Sequence, residues 1–285
     1  MGAGDDTVLN TGVMANVVLG SGNGTYTVGG FFGGGDELDD GPFGFISGTG
    51  SAGDVRGGSS EDTMTGGTSA DRFYGGNDND RLIGNEGRYI LHGQNGDDFI
   101  LGGDDNDMIS GGAGNDFING GGNNDRLLGG NDEDIIFGGN GNDVIAGSNG
   151  DDRMFGDNGN DRMSGGAGND TMEGGQGRDT LVGGTGADVF VFAGRSNGDI
   201  IRDFSEGDQI ELRLIGSDGG TSFDDILANI AFNGSNAVID LSAIFNLASG
   251  GGRIDNGSSV TINNVTIDDL GASAFHIVDD IFIVG

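Results

Sequence analysis

From Gly57 onward the chain places an apolar residue in the same slot of every nine: Met64, Phe73, Leu82, Leu91, Ile100, Ile109, Ile118, Leu127, Ile136, Ile145, Met154, Met163, Met172, Leu181 and Phe190. The surrounding residues repeat with it, as in GGAGNDFIN from Gly111, GGNGNDVIA from Gly138, GGAGNDTME from Gly165 and GGTGADVFV from Gly183. The pattern is Gly-Gly-x-Gly-x-Asp-x-apolar-x, and fifteen units follow one another without insertion through Val191. A polar, glycine-rich hexapeptide followed by a three-residue strand is a turn–strand unit. One such unit cannot bury its apolar side chain alone, so neighbouring units must stack into a solenoid.

The glycines carry a backbone role, because tight turns need positive φ, where Asn and Asp are the tolerated substitutes. At position four the replacements are Asp78, Asp105, Asn123 and Asp132, with serine only at Ser60 and Ser69 in the first two units. Those two turns are expected to be the least regular. Position six is Asp in every unit except one, where Tyr89 stands.

The flanks lose the period. Residues 1–56 are a degenerate extension, in which MGAGDDTVL at Met1 to Leu9 echoes the nonapeptide from its second position and GNGTYT around Tyr26 echoes it more weakly. GGGDELDDGPFGF from Gly33 to Phe45 reads as an irregular loop. After Val191 longer apolar strands are predicted at 188–192, 199–204, 209–212, 237–241 and 259–262, and SFDDILANI at Ser222 to Ile230 reads as a short serine-capped helix. The expected organisation is thus a degenerate segment 1–56, a repeat array 57–191 and a β-rich segment 192–285.

Composition sharpens this picture. Of 285 residues 65 are glycine, roughly three times ordinary usage, yet glycine does not recur every third position and the single proline is Pro42, which excludes collagen. The net charge is −34, with 39 Asp, 7 Glu, 12 Arg and no lysine. Short carboxylate arms suit a turn or an oxygen-rich metal cage better than a solvated helix face. The same charge argues against nucleic acid and against anionic membranes, since phosphate binding needs Lys/Arg patches. There is no cysteine, which removes disulfides and zinc-thiolate sites. No basic n-region or apolar h-region opens the chain, so neither an N-terminal secretory signal nor membrane insertion is expected.

These residues resemble the repeats-in-toxin (RTX) proteins, whose nonapeptide forms a calcium-binding parallel β-helix. The resemblance covers about half the chain. It implies an all-β fold, a parallel β-roll or right-handed β-solenoid with two nonapeptides per coil, capped by a C-terminal β-rich domain with a short helix. It also implies calcium between turns stacked on the same side, held by the position-six aspartates Asp62, Asp71, Asp80, Asp98, Asp107, Asp116, Asp125, Asp134, Asp143, Asp152, Asp161, Asp170, Asp179 and Asp188. Carboxylates and turn carbonyls are hard oxygen ligands, and Asp side chains in register would otherwise repel one another. Discounting the Ser60, Ser69 and Tyr89 turns leaves about ten shared ions.

GDIIRDFSEGDQIEL from Gly198 to Leu212 and FHIVDDIFIVG from Phe275 resemble the C-terminal domain after the repeats in serralysin-type proteases and mannuronan epimerases. In that family the domain caps the roll and presents an uncleaved C-terminal export signal to a type I secretion transporter. The expectation is a secreted, extracellular calcium-binding protein with no catalytic activity, folded by external calcium. The alternatives are the non-catalytic module of a larger secreted protease, lipase or polysaccharide epimerase, or a surface adhesion or matrix protein.

Other features read as bland. The two histidines, His92 and His276, exclude HExxH chemistry, and His92 reads as a solvated strand residue. GRSNG at Gly194 to Gly198 fits a GxSxG elbow around Ser196, but strand rather than helix follows it. Tyr89 reads as a decayed repeat interrupting one metal edge.

Overall fold

The computed structural model describes residues 7–10, 25–28, 36–37, 45–47, 54–59, 61–68, 70–193, 197–214, 228–233, 236–241, 259–265 and 270–279. It is all-β and forms a parallel β-solenoid, with a single short 3-10 turn at Ala272–Ala274 among the described residues. No helix among them is long and apolar enough to cross a membrane. Two compact units divide the chain, Met1–Ser148 and Asn149–Gly285.

In the first unit consecutive strands go alternately to two parallel sheets. One holds Phe45–Ser47, Thr63–Thr65, Arg81–Asn85, Phe99–Gly103, Phe117–Gly122 and Ile135–Asn140. The other holds Asp36–Glu37, Asp54–Gly58, Arg72–Gly76, Ile90–Asn95, Met108–Ala113 and Arg126–Asn131. Leu82 pairs with Ile100 and Ile100 with Ile118, so one coil is 18 residues, two nonapeptides, as expected. Farther upstream Thr7–Asn10 pairs in parallel with Thr25–Val28, and the segment read as a loop contributes the two-residue strand Asp36–Glu37.

In the second unit, Arg153–Asn158, Thr171–Glu173, Val189–Phe192, Gln209–Leu214 and Phe275–Asp279 form one parallel series. Arg162–Ala167, Thr180–Thr185, Asn197–Ile201 and Ser259–Ile262 form the other. Leu181 pairs with Ile201 and Phe190 with Ile210, so coiling continues past the last nonapeptide with two extra residues per coil. It ends on two antiparallel strands, Asn236–Asp240 and Ile230–Asn233.

The predicted helix is not kept at its C-terminal end. Residues 228–229 are a turn and Ile230 opens a strand, because Ile230 to Phe232 pair with Ala237 to Ile239; residues 222–227 lie outside the described residues. Ser196 also lies outside them, and a strand begins at Asn197.

All fifteen position-eight side chains are buried, none more than 3% exposed. Each such burial contributes about 1.5–3 kcal/mol, which is the apolar share of the fold's stability. Glycine's freedom is used at positions two and four of the turn, both in the left-handed region. The position-four substitutes Asp78, Asp105, Asn123 and Asp132 keep φ between 64 and 75°, as their residue types predict. Ser60 and Ser69, expected to be irregular, lie outside the described residues. His92 differs from its solvated reading: it is half-buried, stacked on Tyr74 at 5.1 Å, and burial lowers its pKa.

Candidate metal centre

All but two of the fifteen turns deliver a position-six aspartate to the inside of the coil. Thirteen of the fourteen predicted residues are nearly fully buried, from Asp62 at 4% exposed to Asp179 at 0%. One carboxylate oxygen is satisfied: Oδ1 accepts the backbone N–H of the position-six residue one coil earlier. In the first unit Asp62 donates to Asp80, Asp80 to Asp98, Asp98 to Asp116 and Asp116 to Asp134, at 2.7–2.8 Å. On the opposite edge Tyr89 donates to Asp107, Asp107 to Asp125 and Asp125 to Asp143, each at 2.7 Å. The second unit repeats the motif from Asp152 to Asp170 to Asp188 and from Asp161 to Asp179.

The other oxygen has no donor. Oδ2 is buried and without a hydrogen-bond partner in Asp62, Asp80, Asp98, Asp107, Asp116, Asp125, Asp134, Asp143, Asp152, Asp161, Asp170, Asp179, Asp188 and also Asp199. A buried acceptor left unpaired costs about 1–3 kcal/mol, and more when charged, so fourteen such oxygens require an explanation. Burial raises these carboxyls against the lowering effect of the amide bond: Asp80, Asp116 and Asp125 to about 8, Asp107 and Asp170 to about 7, Asp98 and Asp179 to about 6. Near neutral pH each therefore calls for a proton or a cation.

The surroundings favour a hard cation. Oδ2 lies against the first-position glycine of its own unit, where the carbonyl oxygen of the corresponding glycine one coil on also converges. Asp116 Oδ2 and the Gly129 carbonyl meet beside Gly111 in this way, and any Cβ there would fill the space. Among the described residues no three His, Cys, Asp or Glu side chains gather into a metal cluster. A cation at a rung would draw one carboxylate from position six and its remaining oxygens from turn carbonyls. An all-oxygen set of that kind fits calcium rather than zinc or copper.

Asp71 departs from the predicted list. It is only half-buried, and its Oδ2 is not among the orphaned oxygens, because the slot one coil on holds Tyr89 instead of a carboxylate. The Tyr89 hydroxyl reaches back to Gly67, accepting its N–H at 2.8 Å and donating to its carbonyl at 3.2 Å.

Two ladder members escape a nine-residue reading. Asp199 accepts the Asp179 amide at 2.9 Å and Asp208 accepts the Asp188 amide at 3.0 Å, both across 20 residues. Their signal is local: Asp199-Ile200-Ile201 and Asp208-Gln209-Ile210 keep the Asp-x-apolar end of the unit, each preceded directly by a glycine at positive φ. Asp208 ends its edge differently, since its Oδ2 accepts the Ser205 amide at 2.7 Å. Asp203 closes the last nonapeptide by accepting the Gly183 and Gly184 amides at 2.9 Å each.

A second, outer ladder runs at position five with opposite polarity. Asn79 accepts from the Asp97 amide, Asp97 from Asn115 and Asn115 from Glu133, so these side chains reach one coil forward while the aspartates reach one coil back.

Fold and site together define an oxygen-lined, calcium-type β-roll. The RTX calcium-binding nonapeptide repeat matches in four copies, at residues 56–91, 92–127, 128–163 and 155–190, so this region of the chain is an array of RTX nonapeptide repeats. RTX nonapeptide repeats bind calcium. No curated protein matches the chain. Among solved structures it is similar to the extracellular lipase LipA from Serratia marcescens, at 20% identity and TM-score 0.40, over 78% of this chain and 40% of that one. It is also similar to a subunit of the mannuronan C5-epimerase of Azotobacter vinelandii, at 22% identity and TM-score 0.21, over 58% of this chain and 87% of that one. The chain thus spans about 40% of the length of the lipase.

Proposed function

We propose that this chain is a secreted, non-catalytic β-roll whose folding is switched on by extracellular calcium. The observation that carries this reading is the row of buried, donor-less Oδ2 atoms. The thirteen predicted ladder aspartates hold the ions, Asp199 extends the row, and Asp71 is set aside.

We count about ten ions, each shared between turns stacked on one edge. At ~1 mM calcium and a site Kd of ~0.1 mM each ion stabilises by roughly 1.4 kcal/mol, so ten give on the order of 14 kcal/mol, a whole domain's net stability. At submicromolar calcium that contribution vanishes, leaving the −34 charge and the entropy of a glycine-rich chain unopposed.

The same switch favours export of an unfolded chain by a type I transporter that reads a signal in the C-terminal segment. In this reading residues 57–191 form the calcium-loaded roll, 192–285 its cap and export segment, and 1–56 a degenerate extension. The test is circular dichroism during calcium titration from excess chelator: strand signal should appear at submillimolar to millimolar calcium, and a fully ordered roll in chelator would overturn the switch.

A further inference from the structure

The unit GNEGRYILH from Gly84 to His92 departs from the repeat at Asn85 and Tyr89, and both side chains go to the same place. Asn85 Nδ2 donates to the Gly66 carbonyl at 2.9 Å. The Tyr89 hydroxyl accepts the Gly67 N–H and donates to the Gly67 carbonyl. The Gly66 amide is itself bonded to the Ile83 carbonyl at 2.7 Å. Every polar backbone group of Gly66 and Gly67 therefore has a protein partner.

The ring explains how this is done. Tyr89 is 1% exposed and packs against Phe73 at 5.6 Å. It lies over Gly84 and its hydroxyl over Gly66, the first-position glycines of two successive turns on one edge. At the other rungs that space holds an aspartate Oδ2 and a glycine carbonyl, as beside Gly75, Gly93 and Gly102. Asp71, whose carboxylate would belong beside Gly66, is displaced toward solvent.

We propose that Tyr89, with Asn85, builds a metal-free rung: a neutral phenol bridges two turns where the other rungs carry a cation. The calcium array on this edge then begins at Asp107, and the turn at Gly66 is held by protein hydrogen bonds. This rests on the calcium reading of the other rungs. Burial, with the Asp71 charge second, pushes the phenol up to about 12, so it remains a donor at all working pH.

Calcium stoichiometry by equilibrium dialysis, on the full chain and on Tyr89→Asp and Tyr89→Phe variants, tests the proposal. Tyr89→Asp restores the repeat and should bind about one ion more than the parent. Tyr89→Phe keeps the ring, so it should bind the parental number while the Gly67 amide exchanges with solvent roughly tenfold faster. An unchanged count in a folded Tyr89→Asp would overturn the proposal. So would the loss of an ion in Tyr89→Phe, which would make the phenol oxygen a ligand. A parent chain that binds no calcium would instead overturn the calcium reading and this proposal with it.

Discussion

The backbone amide of Asp98 donates to Oδ1 of Asp116 at 2.8 Å, eighteen residues on, while Oδ2 of the same carboxylate has no donor at all. One oxygen thus fixes coil to coil and the other is left for something outside the chain. Replacing Asp116 by Asn separates these roles, since the amide can keep the Oδ1 bond but offers no anionic oxygen. Asp116→Asn should raise the calcium midpoint of folding several-fold. In chelator it should stabilise any residual roll by on the order of 1–3 kcal/mol, because no buried charge remains. Paired calcium and urea titrations check both signs.

The pH dependence should reverse with calcium. The ladder carboxyls lie above their ordinary value in the folded chain, at about 6 to about 8. Without metal their stabilising contribution is fully present below the unfolded pKa near 3.8 and is lost as pH rises through the 6–8 range. The chelated chain should therefore hold more strand structure at pH 5 than at pH 8. With saturating calcium protons compete with the ion, so stability should fall toward pH 5. Circular dichroism at both pH values, with and without chelator, reads the crossing.

Gly111 and Asp132 make a matched pair of turn substitutions. A Cβ on Gly111 would lie 2.7 Å from the Asp116 Cγ and 2.8 Å from the Gly129 carbonyl oxygen. Gly111→Ala should cost several kcal/mol, at least ~2, and weaken calcium binding. Asp132 holds φ at 73°, so Asp132→Gly should be neutral or stabilising by up to ~1 kcal/mol. Thermal denaturation in calcium distinguishes the two.

Ile118 pairs with Ile100 and Ile136 within one sheet and is fully buried. Ile118→Ala should cost about 2–5 kcal/mol in the calcium-loaded roll without changing the number of ions bound.

What the sequence made legible was whatever repeats at nine. The line from Met64 to Phe190, the positive-φ substitutes at position four and thirteen of the fourteen ladder aspartates all follow from period and residue chemistry. Asp199 and Asp208 were not legible by period, because two extra residues per coil break the count although the Asp-x-Ile end of the unit survives. The Asn79–Asp97–Asn115 ladder was hidden in a slot that reads as variable. Tyr89 was hidden more deeply: a tyrosine in an aspartate slot reads as decay, and its partner Gly67 lies 22 residues upstream in an ordinary glycine turn. The antiparallel close at Ile230 to Phe232 depends on pairing with Ala237 to Ile239, which local propensity at 222–230 does not reveal.

The most direct measurement is a crystal grown in calcium, with anomalous scattering used to place the ions. The account predicts a peak about 2.3–2.6 Å from Oδ2 of Asp116 and of its counterparts along both edges, and none beside Gly66. Oδ2 atoms surrounded by water alone, in crystals saturated with calcium, would contradict it.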